Sequence, residues 1–242
     1  MAFEPYLVEL DIQPPQGIDL RERVKNALSL GLPEASFRAR GACTILANGP
    51  TAIEYKPDRL PLAAINGALS LHAPEYWLVC DPQEKQVLDF LRGDLPPHTK
   101  YIVASKCHPK VFERLRDYDV TLWHINDEEA FPMLESAGVE VTQTAVSCTL
   151  CAMEFLHARG YEKFITYGWD GCYLGGQDHA VPQAHVSTQD KFIIVGPHAF
   201  LSTPTWVAEA QDAHLQLSIA DYSVKVMGPG YIGDSLRFSG IK

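Results

Sequence analysis

The feature that most constrains this chain is a recurring unit, a short apolar run that ends on Gly, Asn or Asp and gives way to an amphipathic segment. From residue 42 the runs ACTILA (42–47), LAAIN (62–66), YWLVC (76–80), KYIVAS (100–105), VTLWH (120–124), KFITY (163–167), KFIIV (191–195) and YSVKVM (222–227) read as strands. Segments 83–92, 109–117, 127–137, 145–159 and 204–218 carry apolar residues at helical spacing. In the fourth, Ala145, Thr149, Ala152, Met153 and Leu156 trace one face; in the last, Thr203-Pro204 reads as N-cap and first helical residue. Strands that are apolar almost throughout have both faces covered. Strand and helix in alternation then predict a mainly parallel, doubly wound α/β sheet, with any ligand beyond the carboxyl ends of its strands.

Ahead of this pattern, residues 1–40 read as an N-terminal extension on a domain of residues 41–242. It holds a short apolar strand candidate, a PPQG turn, and a helix begun by Asp19, carrying Leu20, Val24, Ala27 and Leu28 on one side and stopped by Gly31 and Pro33. Thirty acidic residues against 20 basic ones leave a net charge of −10, which argues against duplex nucleic acid or an anionic membrane as a partner. The longest apolar stretches are too short to span a bilayer and the first residues lack a signal-peptide pattern, so a cytoplasmic protein is expected. Six cysteines, at 43, 80, 107, 148, 151 and 172, lie among apolar neighbours and read as reduced thiols that fill the core. No heptad or apolar stripe identifies an interface, which leaves a homodimer open.

The chemistry-bearing residues gather where strands are predicted to end. The first strand runs into Asn48-Gly49-Pro50-Thr51, a turn that either aims backbone N–H groups at an anion or simply closes the strand. It is neither a dinucleotide fingerprint nor a P-loop. Asn66 ends the second strand and Asp81 follows the third; such residues cap turns, or bind a ribose, a base or a divalent cation. Lys106 and His108 follow the fourth strand as phosphate contacts or as an exposed basic loop. Ser147 opens the next helix and can cap it or touch a phosphate. Cys148 and Cys151 match a CxxC spacing without the context of a zinc or thioredoxin site, and read as core residues.

The densest segment is GYEKFITYGWDGCYLGGQDHAVPQAH, in which a strand delivers Asp170 and a glycine-rich loop presents Asp178, His179 and His185. Asp170 with Asp81 forms a candidate Mg²⁺ pair, and His179 a candidate base or phosphate ligand. Trp123, Trp169 and Tyr173 are open between stacking on a ring and filling the core, with Trp123 assigned to the core.

Taken in order, CTILANGPTAIEY, AAINGAL, YWLVCDP, YIVASKCHP and AMEFLHARGYEKFITYGWDGCYLGGQDHA resemble the MptE-like family of 6-hydroxymethylpterin diphosphokinases over about residues 42–185. The resemblance implies a Rossmann-like domain that transfers diphosphate from ATP to a pterin hydroxymethyl group with Mg²⁺. Its partners would be a nucleotide and a small-molecule acceptor. Asn48, Gly49 and Pro50 would form the phosphate loop, Asn66 and Asp81 the nucleotide edge, and Asp170 and His179 the active-site wall. The same landmarks are similar to bacterial sialyltransferases that use CMP-sialic acid without a catalytic metal. A nucleotide-binding module with no turnover is the third reading.

Overall fold

In the computed structural model, which describes residues 17–183, 191–195 and 198–240, the central element is a seven-stranded, all-parallel sheet. Its strands are β1 (Gly41–Leu46), β2 (Leu62–Ile65), β3 (Tyr76–Val79), β4 (Lys100–Ala104), β5 (Asp119–Trp123), β6 (Tyr161–Tyr167) and, last in the chain, β9 (Ser223–Val226). Their spatial order is β5-β4-β3-β2-β1-β6-β9. The chain therefore winds outward from β1 through β5, returns to the other side of β1 for β6, and continues to β9. That reversal places the topological switch point, where open α/β sheets bind ligands, between the carboxyl ends of β1 and β6. The two strands pair from Ala42↔Lys163 to Leu46↔Tyr167, so they end level.

The apolar runs become strands because they are covered on both faces: β2 and β3 are buried at every position. The helices are α1 (Leu20–Ser29), α2 (Glu84–Phe90), α3 (Pro109–Arg114), α4 (Phe131–Ala137), α5 (Cys148–Ala158), α6 (Pro204–Ile219) and α7 (Tyr231–Phe238). Each of the five predicted helical segments holds one of them. The segments at 109–117, 127–137 and 145–159 shorten to α3, α4 and α5; the Ser147 hydroxyl starts α5 at residue 148, while the His108 ring before α3 and the left-handed Gly138 after α4 mark the ends that fall where expected. Helix α5 buries Leu150, Cys151 and Phe155 in addition to the predicted face, as expected of a helix enclosed by the core. Trp77 and Trp123 are fully buried and each donates its indole N–H, to Asn66 O at 2.8 Å and to Val79 O at 3.1 Å. Each indole removes ~150–250 Å² from water, worth about 4–6 kcal/mol before its ordering entropy.

One predicted strand is not in this sheet. Residues 191–195 supply β7 (Phe192–Val195), which pairs antiparallel with β8 (Ala199–Ser202) as a separate ribbon. A connection this short returns a strand antiparallel to its neighbour, whereas joining the parallel sheet needs a long crossover. Neither β8 nor α7 stood out in the sequence. Of the N-terminal segment, residues 1–16, with their strand candidate, lie outside the described residues. The rest is tied to the main body: Val24 of α1 meets Ala130 and Leu134, and Pro33 and Ala35 exchange backbone hydrogen bonds with Leu122 along the outer edge of β5. Covering that edge removes an unpaired row of backbone groups. No helix among the described residues is long and apolar enough to cross a membrane.

Candidate functional site

Two strand ends make the floor of the site. Past β1, Ala47 N–H continues the ladder to Tyr167 O at 2.8 Å, and Gly49 N–H reaches Gly168 O at 2.7 Å. Glycine is required at 49: a Cβ there would lie 2.6 Å from both Asp170 Oδ2 and Gly168 O. Gly168, with φ of +73°, would bring a Cβ within 2.5 Å of Ala47 O. Asp170, 2 % exposed, closes the clamp. Its carboxylate accepts from Thr51 N–H at 2.9 Å and Thr51 Oγ1 at 2.5 Å, while Thr51 Oγ1 accepts from Gly168 N–H at 2.9 Å. Burial pushes the Asp170 carboxyl up to about 6 against the opposing pull of the Thr51 hydrogen bonds.

These contacts correct the phosphate-loop assignment. Pro50 has no N–H, and the N–H groups of Gly49, Thr51 and Ala52 are spent on Gly168 O, Asp170 and Gly49 O. The turn at 48–51 is a brace between β1 and β6, and it offers no row of amides to an anion.

Above the floor is a cavity of about 160 Å³, lined by Asn48, Gly49 and Asn66 on one side and by Asp170, Asp178 and His179 on another. Ser147, Cys148, Thr149 and Glu209 also line it. The volume holds about five waters, the size of one ring. Ala180 N–H donates to Asn48 O at 2.9 Å, which docks the glycine-rich loop and sets His179 at the cavity. His179 Nδ1 lies 3.1 Å from Asp178 Oδ1. His185 lies outside the described residues.

Three buried polar atoms at or beside this cavity lack a hydrogen-bond partner: Asn48 Oδ1, Asn66 Oδ1 and Gln183 Nε2. A Cβ on Gly67 would sit 2.8 Å from the first and 3.0 Å from the third, so glycine there leaves room for both amides. Asn66 also carries φ of +52°, the one non-glycine residue with positive φ among those described. Unmet buried acceptors and a strained backbone each cost about 1–3 kcal/mol. Asn48 and Asn66 both line the cavity, at the carboxyl ends of β1 and β2 beside the switch point.

Glu209 was not among the expected site residues. It projects from α6, is 9 % exposed, and accepts from Trp169 Nε1 at 2.6 Å and from the Ser147 hydroxyl. Burial raises its carboxyl above the ordinary value, against the pull of those two donors. A sequence signal existed: Glu209 falls three residues after Trp206 and four before Ala213, on the apolar face of the helix.

The structure does not bring Asp81, Lys106 and His108 to the cavity. β3 and β4 lie two and three strands from β1, about 10 and 14 Å away at ~4.8 Å per strand. Asp81 accepts from Gln83 N–H at 2.7 Å, and burial pushes its carboxyl up to about 6. His108 caps α3 through Nδ1 and faces Glu84 Oε2 at 3.1 Å with Nε2. Lys106, half-buried after β4, is not among the residues lining the cavity. The proposed Asp81–Asp170 cation pair therefore does not form, and among the described residues no group of three His, Cys, Asp or Glu side chains is arranged to hold a metal ion. Trp123 is core, as assigned; Trp169 is 2 % exposed and serves the wall. No family model matches this chain, and no curated protein does.

Proposed function

We propose that the chain is a nucleotide-dependent transferase that moves a diphosphate from ATP to the hydroxymethyl group of a small, pterin-like acceptor. The observation that carries the nucleotide part is the pair of unpartnered acceptors, Asn48 Oδ1 and Asn66 Oδ1, in residues that line the cavity beside the switch point of a parallel sheet. They call for donors such as ribose hydroxyls or a base amino group. The cavity admits one ring, so the rest of the nucleotide and the acceptor lie across its mouth. The resemblance of the strand-end motifs to the MptE-like diphosphokinases supplies the reaction type.

In this reading the acceptor oxygen bonds to the β-phosphorus, the bond from that phosphorus to the bridging oxygen of AMP breaks, and AMP leaves. His179, held by Asp178, orients the acceptor hydroxyl, and its proton passes to His179 or to the buried Glu209 carboxylate. Thr51 and Asp170 hold the two strand ends together and do not touch the phosphates. Among the described residues no Lys or Arg lines the cavity, while Asp170, Asp178 and Glu209 do. A polyphosphate therefore enters with its own cation, and Mg²⁺, which needs only one or two protein carboxylates when phosphates supply other ligands, would meet Asp178.

That same acidic lining weighs against the second reading, transfer from CMP-sialic acid without metal. The test is a thermal-shift series with ATP, CMP and CMP-sialic acid, with and without Mg²⁺, followed by an assay of AMP release. A ligand at a hundred times its Kd adds ~2.7 kcal/mol, or roughly 5–10 °C for a chain of this size. Stabilisation by ATP that requires Mg²⁺, with AMP release on adding a hydroxymethylpterin, is the expected result. Metal-independent stabilisation by CMP alone overturns it in favour of the glycosyltransferase, and ATP binding without AMP release in favour of a binding module.

A further inference from the structure

The cavity is polar around most of its lining and carries two indole rings, those of Trp169 and Trp206. Trp169 has no face to offer: it is 2 % exposed, and its N–H is spent on Glu209 Oε1. Trp206 differs. It stands in the first turn of α6, where the Thr203 hydroxyl accepts from its backbone N–H at 3.5 Å, and it is half-buried, so part of the ring faces the cavity and part meets solvent at the rim. Tyr173 braces it, with ring centroids 5.0 Å apart and planes at 62°, and the Lys191 ammonium lies 4.2 Å from the Tyr173 centroid. Tyr173 N–H donates to Leu201 O at 2.8 Å, which fixes that brace to β8. A T-shaped contact covers at most one face of the indole. A ring held in this way loses little freedom when a second flat ring settles on it.

We propose that Trp206 is the platform on which the acceptor's ring stacks, and that the acceptor is a flat, uncharged nitrogen heterocycle. The inference rests on the transferase reading and adds to it the residue that selects the acceptor. The nucleotide base takes the inner cavity beside Asn48 and Asn66, and the acceptor lies over Trp206 at the rim.

Two features of the lining set the ligand class. Stacking on an indole favours an extended π-system over a saturated ring or an aliphatic alcohol. Asp170, Asp178 and Glu209, with no Lys or Arg beside them among the described lining residues, favour N–H donors on the ring edge and oppose an anionic substituent. Glu209 follows Trp206 by three residues on the same helix, so carboxylate and indole share one face of α6. A ring stacked on the indole therefore turns an edge toward a carboxylate.

The experiment is titration calorimetry of the full chain with 6-hydroxymethylpterin as the probe, run on the unsubstituted chain, Trp206→Ala and Trp206→Phe. The expected result is that Trp206→Ala weakens pterin binding roughly tenfold or more, while Trp206→Phe, which keeps a flat ring, stays within about threefold. The unsubstituted chain should bind 6-carboxypterin about tenfold more weakly than 6-hydroxymethylpterin, because its carboxylate meets the acidic lining. Thermal stabilisation by ATP with Mg²⁺ should be the same in all three chains. Pterin affinity unchanged by Trp206→Ala overturns the proposal, as do equal affinities for the two pterins or no pterin binding to the unsubstituted chain. Failure of the transferase reading looks different: ATP gives no stabilisation and no AMP is released, whereas pterin still binds and still depends on the ring at position 206. Should Trp206→Ala fail to fold, acrylamide quenching of tryptophan fluorescence decides on the unsubstituted chain. Of the four tryptophans, Trp77, Trp123 and Trp169 are buried, so the quencher reaches Trp206 first and bound pterin should shield it. Quenching that pterin leaves unaltered would also sink the proposal.

Discussion

The two halves of the carboxyl edge of the sheet hold similar residues and have opposite accounts of their hydrogen bonds. On the β3 and β4 side, Asp81 is met by Gln83 N–H, His108 by Glu84, and Lys110 by Glu84. At the ends of β1, β2 and β6, Asn48 Oδ1 and Asn66 Oδ1 are buried and unmet. Polar residues at strand ends are thus of two kinds. Those that close their own turns are satisfied by the chain, and those left unmet at a structural cost are the ones the proposed nucleotide would satisfy.

The largest effect that sharpens this comparison is at Gly49. Gly49→Ala sets a Cβ 2.6 Å from two oxygens of the β1–β6 clamp and should cost about 3 kcal/mol or more. Gly93→Ala, at φ of +71° with nothing within 4 Å, should cost only ~1–2 kcal/mol. Urea denaturation of both variants checks the difference, and equal costs would mean that the clamp is not rigid.

Asp170→Asn comes next, since it turns an amide donor toward Thr51 or leaves Thr51 unmet, at about 1–3 kcal/mol. Its pH dependence has a definite sign. A carboxyl pushed up to about 6 from the ordinary 3.8 binds its proton more tightly in the folded state than in the unfolded one. The stability it contributes is complete below about pH 4 and is lost as pH rises through about 6. The gap in Tm between the unsubstituted chain and Asp170→Asn should therefore narrow from pH 4 to pH 7; a gap that widens would show a depressed carboxyl.

Asn66→Gly should separate ligand from fold. Glycine adopts φ of +52° without strain and removes the unmet acceptor, so stability should stay within ~1 kcal/mol. Nucleotide affinity should fall roughly 5- to 30-fold, the worth of one to two hydrogen bonds. Titration calorimetry beside a melting curve measures both. The smallest effect belongs to the other half of the edge: His108→Ala should leave nucleotide affinity unchanged and move Tm by no more than ~2 °C. A loss of affinity there would return the β4 loop to the site.

Much of the fold was legible because burial on both faces leaves a strand no polar positions, so LAAIN and YWLVC could be little else. β8 and α7 were not legible. AFLS alternates exposed and buried residues over only four positions, and YIGDSLRF begins after Gly230 without a side-chain cap. At the site, Asn48, Asn66, Ser147, Asp170 and His179 were found by their place after strands or before a helix, and the cavity does gather them. Asp81, Lys106 and His108 satisfied the same criterion and lie outside it. Glu209, far along the chain on a helix, was missed although its helical face gave it away.

By itself the sequence determined that this chain forms a parallel α/β sheet and that its polar residues collect at one edge, because periodicity and turn chemistry are local and survive without knowledge of the partners. Only the tertiary structure decided which of those residues share a cavity, and that the Gly49 and Thr51 amides are taken up by Gly168 and Asp170 just past β6. Strand order and the saturation of each donor and acceptor are long-range facts: β1 and β6 are neighbours in space although more than a hundred residues separate them, and no local pattern records that pairing.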